Sequence, residues 1–198
     1  MKSRKFKPTF KWLWWFIWED DSLWSWLVNI VLAFILIKFI VYPLLGLLLT
    51  TTHPIVAVVS GSMEHDGSFN SWWSSMHNFY DQAGIAKEEF KDYRFKNGFN
   101  KGDLIVLKGK DWNKLEIGEV IVYQSSLRVE PIIHRIVRIY ESDGKRLVQT
   151  KGDHNSESNP DELRIQESQY IGNGLFRIPW LGWVKIGFVG LLKFLRVI

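Results

Sequence analysis

The chain has 198 residues and a formal net charge of +4, with 46% hydrophobic and 15% aromatic residues. That length allows one compact domain of roughly 150 residues beside a membrane anchor. There is no cysteine, which excludes thiol catalysis, disulfide staples and thiolate metal sites.

The positive charge is concentrated at the start, where Lys2, Arg4, Lys5, Lys7 and Lys11 fall within the first eleven residues. A basic block followed by apolar sequence fits an anionic lipid surface better than nucleic acid. Six of the eleven tryptophans (Trp12, Trp14, Trp15, Trp18, Trp24 and Trp26) precede or open the apolar stretch. Indole prefers the membrane–water boundary, so residues 12–18, too short to span, are expected in the cytoplasmic interface. From Leu27 to Leu49 the sequence is LVNIVLAFILIKFIVYPLLGLLL. As a helix it extends about 34 Å, enough to cross a hydrocarbon core of about 30 Å. It is too long for the apolar core of a removable signal peptide and reads as a retained anchor. Lys38 near its middle reads as a snorkelling or partner-facing lysine, and Pro43 with Gly46 predicts a kink in the outer turn. Basic residues before the span and none from Thr50 to Val59 put the N-terminus in the cytoplasm and the rest outside.

After the anchor the pattern changes to short β-like runs between turn residues: 54–59, 103–107, 119–123, 131–140, 146–150 and 170–178. Asp143-Gly144 predicts a hairpin between two of them. Such spacing implies a mainly antiparallel β domain. Residues 66–98 interrupt it as a helical insertion, because Trp72, Trp73, Met76, Phe79 and Tyr80 recur at helical spacing and 85–93 also reads as helix. Its aromatics either rest on lipid or form a satellite core of their own. The tail from Gly187 is apolar with Lys193 and Arg196, the pattern of an interfacial helix. The expected organisation is a cytoplasmic and interfacial segment over 1–26, an anchor over 27–50, an extracytoplasmic domain over 51–186 and a membrane-associated tail over 187–198.

Three short motifs could carry chemistry. Ser60-Gly61-Ser62-Met63 follows a strand, and Gly61 permits a tight turn that presents the Ser62 hydroxyl at the strand end. Taken alone it is also an ordinary polar loop. His134 lies on a strand whose alternation puts Ile132, His134 and Ile136 on one face. Its imidazole is suited to take a serine proton near neutral pH, although on this residue alone a hydrogen-bonded core histidine is the commoner pattern. Lys151-Gly152-Asp153 follows another strand; Asp153 could orient an imidazole, or simply close a turn. No His-Glu-x-x-His and no Gly-rich phosphate loop are present. The aromatics do not interleave with a basic stripe, so neither a cofactor, a metal nor nucleic acid is expected.

In order along the chain, an apolar anchor, Ser-Gly-Ser-Met, Gly-Asp-Leu-Ile-Val-Leu, Ile-Ile-His-Arg, Lys-Gly-Asp-x-Asn and Ile-Pro-Trp-Leu-Gly-Trp-Val-Lys-Ile follow one another. Over residues 27–190, apart from the insertion, this resembles the type I signal peptidases of the archaeal and endoplasmic-reticulum branch. The resemblance implies a mainly β, signal-peptidase-like antiparallel catalytic domain with an N-terminal transmembrane helix and an aromatic-rich helical insertion. It implies Ser62 as nucleophile, His134 as general base where bacterial relatives use lysine, and Asp153 as the acidic member. It implies the Ser62 N–H and the Ser60 hydroxyl as oxyanion donors. Implied partners are signal peptides of secreted preproteins, the lipid bilayer, and Sec translocation machinery or accessory subunits, with the chain single-pass in the cell membrane.

Three positions depart from the family pattern. His65 stands where a proline is usual, about 37 residues separate the serine box from the sheet, and Asn159 occupies the place of a second aspartate. Asp161 lies two residues further on, which leaves the third catalytic member open between Asp153 and Asp161. The competing reading is a non-catalytic anchored β module that binds exported chains or a membrane partner.

Overall fold

The computed structural model describes residues 10–195. Lys2, Arg4, Lys5 and Lys7, on which the expected orientation rests, and Arg196 lie outside them. The chain divides after Leu45 into two compact units.

In the first unit, α1 (Phe10–Trp18) turns into α2 (Leu23–Leu48), whose last three residues belong to the second. Ser22 caps α2, its hydroxyl accepting from the Ser25 N–H at 3.2 Å. The open carbonyls at the end of α1 are taken up by α2: Ser25 Oγ donates to Phe16 O at 2.6 Å, and Asn29 Nδ2 to Ile17 O at 2.9 Å. α2 has 26 residues, starts four earlier than the apolar run suggests, and is long and apolar enough to cross a membrane. The expected irregularity lies just before Pro43 rather than at it. A proline has no N–H to give the carbonyl four residues back. Over Ile37–Val41 the helix widens to a π turn, in which the Tyr42 N–H reaches Ile37 O.

The second unit holds a six-stranded antiparallel sheet in the order β1-β2-β6-β3-β4-β5. The strands are β1 (Ile55–Ala57), β2 (Leu104–Lys108), β3 (Val120–Tyr123), β4 (Ile132–Ser142), β5 (Lys145–Lys151) and β6 (Tyr170–Ile178). All six expected runs are strands, and their ends shift by a few residues. The β4–β5 hairpin closes with Ser142 opposite Lys145, and Asp143 and Gly144 both at positive φ (55° and 69°), as a tight two-residue turn requires.

β3 is buried at every residue, so the sheet is covered on both faces. Ile121 and Tyr123 join Trp112, Ile136, Val148 and Ile165 in one core. Val120 and Val122 join Val58, Met63, Phe99, Ile105 and Leu107 in the other.

The insertion forms α3 (Phe69–Gln82) and α4 (Lys87–Asp92). Its aromatic face turns inward: Trp72, Trp73, Tyr80, Ile85 and Phe90 pack with Val137 of β4, and none of the five is more than 6% exposed. The satellite-core expectation therefore holds, and the expectation that these rings rest on lipid does not, since Asn70, Ser71, Ser74, Asn78 and Asp81 are what α3 shows to solvent. The tail helix, α5 (Gly182–Phe194), begins five residues before the position expected. It leaves Val184, Phe188, Leu191 and Phe194 more than half exposed.

Because Trp72 is fully buried among five aromatic rings, Trp72→Ala should destabilise the domain by about 3–5 kcal/mol. Thermal melting of the detergent-solubilised chain reads this; an unchanged midpoint would mean that the insertion folds independently of its aromatic core.

Candidate active site

β1 runs into Ser60-Gly61-Ser62, where the chain turns with the Glu64 N–H bonded to Gly61 O at 3.0 Å. The next side chain, Met63, is fully buried and anchors the turn. Two loops clamp this backbone: Phe99 N–H donates to Met63 O at 3.0 Å and His154 N–H to Ser62 O at 2.9 Å. Ser62 is left partly exposed, with its Oγ 3.2 Å from Ser60 Oγ. Among the described residues the Ser62 N–H has no partner.

His134 lies on β4 opposite Ile121 of β3 and is 5% exposed. Its Nε2 is 2.8 Å from Ser62 Oγ. Its Nδ1 is hydrogen-bonded to Oε1 of Glu162, a wholly buried carboxylate. The other oxygen of Glu162 accepts from the Asn159 N–H at 2.6 Å and from Asn159 Nδ2 at 3.1 Å. That is a capping box on the short 3₁₀ turn Pro160–Glu162, and it holds the carboxylate independently of the imidazole. Gly152 makes the meeting possible. A Cβ there would stand 2.7 Å from Ser62 O and 2.8 Å from His134 Nε2, closer than any side chain tolerates.

Ser62, His134 and Ser60 are thus brought together, whereas Asp153 and Asp161 are not with them. Asp153 follows Gly152, but its carboxylate turns to the opposite side of β4. Successive residues of a strand point to opposite faces, so Arg135 projects away from His134, and Asp153 pairs with Arg135. Arg135 Nε donates to Oδ1 at 2.9 Å and Nη2 to Oδ2 at 2.6 Å. Tyr80 donates to Oδ1 at 2.9 Å, and His65 Nε2 lies 3.0 Å from Oδ2. Asp161 accepts from Ser125 Oγ at 2.7 Å and lies 3.5 Å from Arg128, which ties down the loop before β4. The carboxylate found on the far nitrogen of His134, which the motifs did not single out, is that of Glu162. Its signal was Asn-Pro-x-Glu, a helix-start pattern whose glutamate turns back toward the cap.

The Asp153 cluster is buried and charged. Burial opposes ionisation of Asp153, but the Arg135 charge and the hydrogen bonds from His65 and Arg135 outweigh it and hold the carboxyl well below its usual range. Lys151 is also wholly buried, its Nζ donating to Gly152 O at 3.0 Å and lying over the Tyr80 ring. Burial pushes its pKa down to about 8. His65, at the position where a proline was expected, stacks flat on Trp72 with ring centres 3.6 Å apart. Among the described residues no group of His, Asp and Glu is arranged to hold a metal ion.

Ser62 and His134 open into a groove of about 840 Å³. Ala57, Val59 and Ser60 form one wall; Val129, Ile132 and Ile133 form the other. β1 ends the sheet, and β5 pairs with β4 only from Arg135 onward, so both walls offer unpaired strand edges.

An apolar spanning helix joined to an antiparallel sheet, with hydroxyl, imidazole and carboxylate in line at a strand-edged groove, defines a membrane-tethered Ser–His protein. Its homologues are the catalytic subunits of signal peptidase complexes, the Ser–His branch of type I signal peptidases. The chain is 27% identical over 157 residues to the signal peptidase complex catalytic subunit SEC11 of Scheffersomyces stipitis, covering 75% of this chain and 73% of that one. It is 25% identical over 181 residues to that of Yarrowia lipolytica, covering 80% and 84%. It is 32% identical over 94 residues to that of Metarhizium robertsii, covering 44% and 55%. No family model matches the chain.

Two measurements probe the buried cluster. Asp153→Asn strands the Arg135 charge and should lower stability by about 3–5 kcal/mol. Between pH 8 and the usual lysine value of 10.5, the unfolded chain keeps a proton that folded Lys151 has released. The Lys151 contribution to stability therefore rises with pH across that window and is flat below it. The stability difference between wild type and Lys151→Met, followed by denaturant unfolding from pH 7 to 10.5, should show this rise. A difference independent of pH would mean that the ammonium is solvated.

Proposed function

We propose that the chain is a membrane-bound serine endopeptidase that removes N-terminal signal peptides from exported preproteins. The observation that carries this reading is the 2.8 Å approach of Ser62 Oγ to His134 Nε2 inside the groove, with Glu162 on the far ring nitrogen. The relatives are named as catalytic subunits of signal peptidase complexes, which supports both the substrate class and a role beside accessory subunits.

In this reading the preprotein lies extended and pairs with the free edge of β1 and with the open stretch of β4 before Arg135. Ala57 at the groove wall suits the small side chains that flank signal-peptide cleavage sites. Ser62 Oγ attacks the scissile carbonyl and passes its proton to His134 Nε2. Glu162 keeps the Nδ1 proton in place and stabilises the imidazolium that forms. The unpartnered Ser62 N–H, with the Ser60 hydroxyl, receives the oxyanion; one such donor is worth about 3 kcal/mol of barrier. His134 then protonates the leaving amine, and an ester to Ser62 remains. Water, deprotonated by the same Nε2, attacks that ester and releases the signal peptide with a new carboxylate. Residues 51–186 form the extracytoplasmic part, the N-terminus is cytoplasmic, and the protein resides in the cell membrane.

Incubation of the detergent-solubilised protein with a preprotein tests the assignment. Ser62→Ala and His134→Ala should each lower cleavage at least about 10³-fold, and Glu162→Gln about 10³- to 10⁴-fold. Asp161→Asn should stay within about tenfold of wild type. Undiminished cleavage by Ser62→Ala would end the proteolytic reading, and equal losses for the Glu162 and Asp161 variants would overturn the role given to Glu162.

A further inference from the structure

A second concavity, of about 410 Å³, lies at the end of β2, bounded by Arg94, Lys108, Gly109, Lys110, Glu119 and Asn173. We propose that it binds the phosphate of a phospholipid head group. Two observations combine here, one of charge and one of place.

The charge is uncompensated. Lys110 is neutralised by Glu119, its Nζ 2.9 Å from Oε1. Lys108 has no ion-pair partner among the described residues, and Arg94 gives one N–H to the Leu175 carbonyl and none to a carboxylate. Two cations therefore remain at the hollow against no free anion in its wall. The side amide of Asn173 makes no hydrogen bond among the described residues and adds a neutral donor. A guanidinium, an ammonium and an amide on one cavity are the donors that phosphate oxygens take.

The place is the end of the apolar helix. α2 closes in a Schellman motif, with Thr50 at φ 51°, Thr50 N–H bonded to Leu47 O and Thr51 N–H to Gly46 O. The carbonyl of Leu49 is capped from the sheet side by Gly109 N–H at 2.7 Å. Gly109 must be glycine, since a Cβ would lie 2.0 Å from Thr50 O. The residue that touches the last apolar turn is thus also part of the wall of the basic hollow. Because the apolar run ends at Leu48, chain connectivity alone keeps Leu49, and the Gly109 bonded to it, near the polar boundary of a bilayer that the run crosses, where each nearby cation strengthens binding of an anionic lipid. Nothing in this depends on the chemistry at Ser62.

The test uses the full chain in an uncharged detergent, titrated with dihexanoyl phosphatidylglycerol while the thermal midpoint is followed. The wild type should gain stability saturably. Lys108→Gln should raise the half-saturating concentration roughly fivefold, and Arg94→Glu with Lys108→Glu at least about 25-fold. Unchanged preprotein cleavage in detergent shows that these variants are folded; if the double variant is not, the Lys108→Gln shift decides. Equal half-saturation in wild type and Lys108→Gln would overturn the proposal. So would inorganic phosphate reproducing the stabilisation at the same concentration, since that would make the ligand a free anion.

Discussion

The arrangement depends on the alternation of two adjacent side chains on β4. His134 points to one side, toward Ser62 and Glu162; Arg135 points to the other, into a fully buried pair with Asp153. Because one strand carries both, the backbone that bears the imidazole cannot shift without disturbing a desolvated ion pair, and such pairs are costly to break. The Arg135 guanidinium also donates to the carbonyls of Arg94, Phe95 and Gly118, so its position is fixed from two further segments. Rigidity at the hydroxyl is inherited from charge on the reverse side.

Much of this was legible in the residues. The six strands could be read because β-branched runs between turn residues have one favoured conformation, and the β4–β5 hairpin because Asp-Gly suits a turn that needs positive φ twice. The pairing of Ser62 with His134 followed from the order of motifs. The carboxylate did not. Lys-Gly-Asp looked like the acidic partner, yet in that segment it is Gly152 that borders Ser62 and His134, while the Asp153 carboxylate pairs with Arg135 on the other side. Glu162 lies in an irregular stretch where no periodicity tells which way a side chain faces, and only the three-residue capping geometry turns it inward. Asp161, one residue earlier, faces the loop instead.

The insertion explains why a histidine stands at position 65. Trp72 stacks on His65, and its indole N–H reaches the carbonyl of Asp153 at 3.1 Å. Tyr80 from the same helix bonds the Asp153 carboxylate. These extra residues thus seal the reverse side of the site with aromatic rings, shielding a charge cluster that water would otherwise weaken. Helical spacing revealed the helix; it could not reveal that its apolar stripe faces protein and not lipid, because both surfaces demand the same residues.

The end of the spanning helix has a mechanical consequence. Leu49 is hydrogen-bonded to Gly109 beyond β2, and Thr51 Oγ1 to Ile171 of β6 at 2.9 Å. The strand that pairs with β2 leads into Ser62, so residues 49–51 and the groove wall share one hydrogen-bonded framework within the second unit. A disturbance at Gly109 or Thr51 is therefore carried into the strand that leads to Ser62 instead of being absorbed by loose chain.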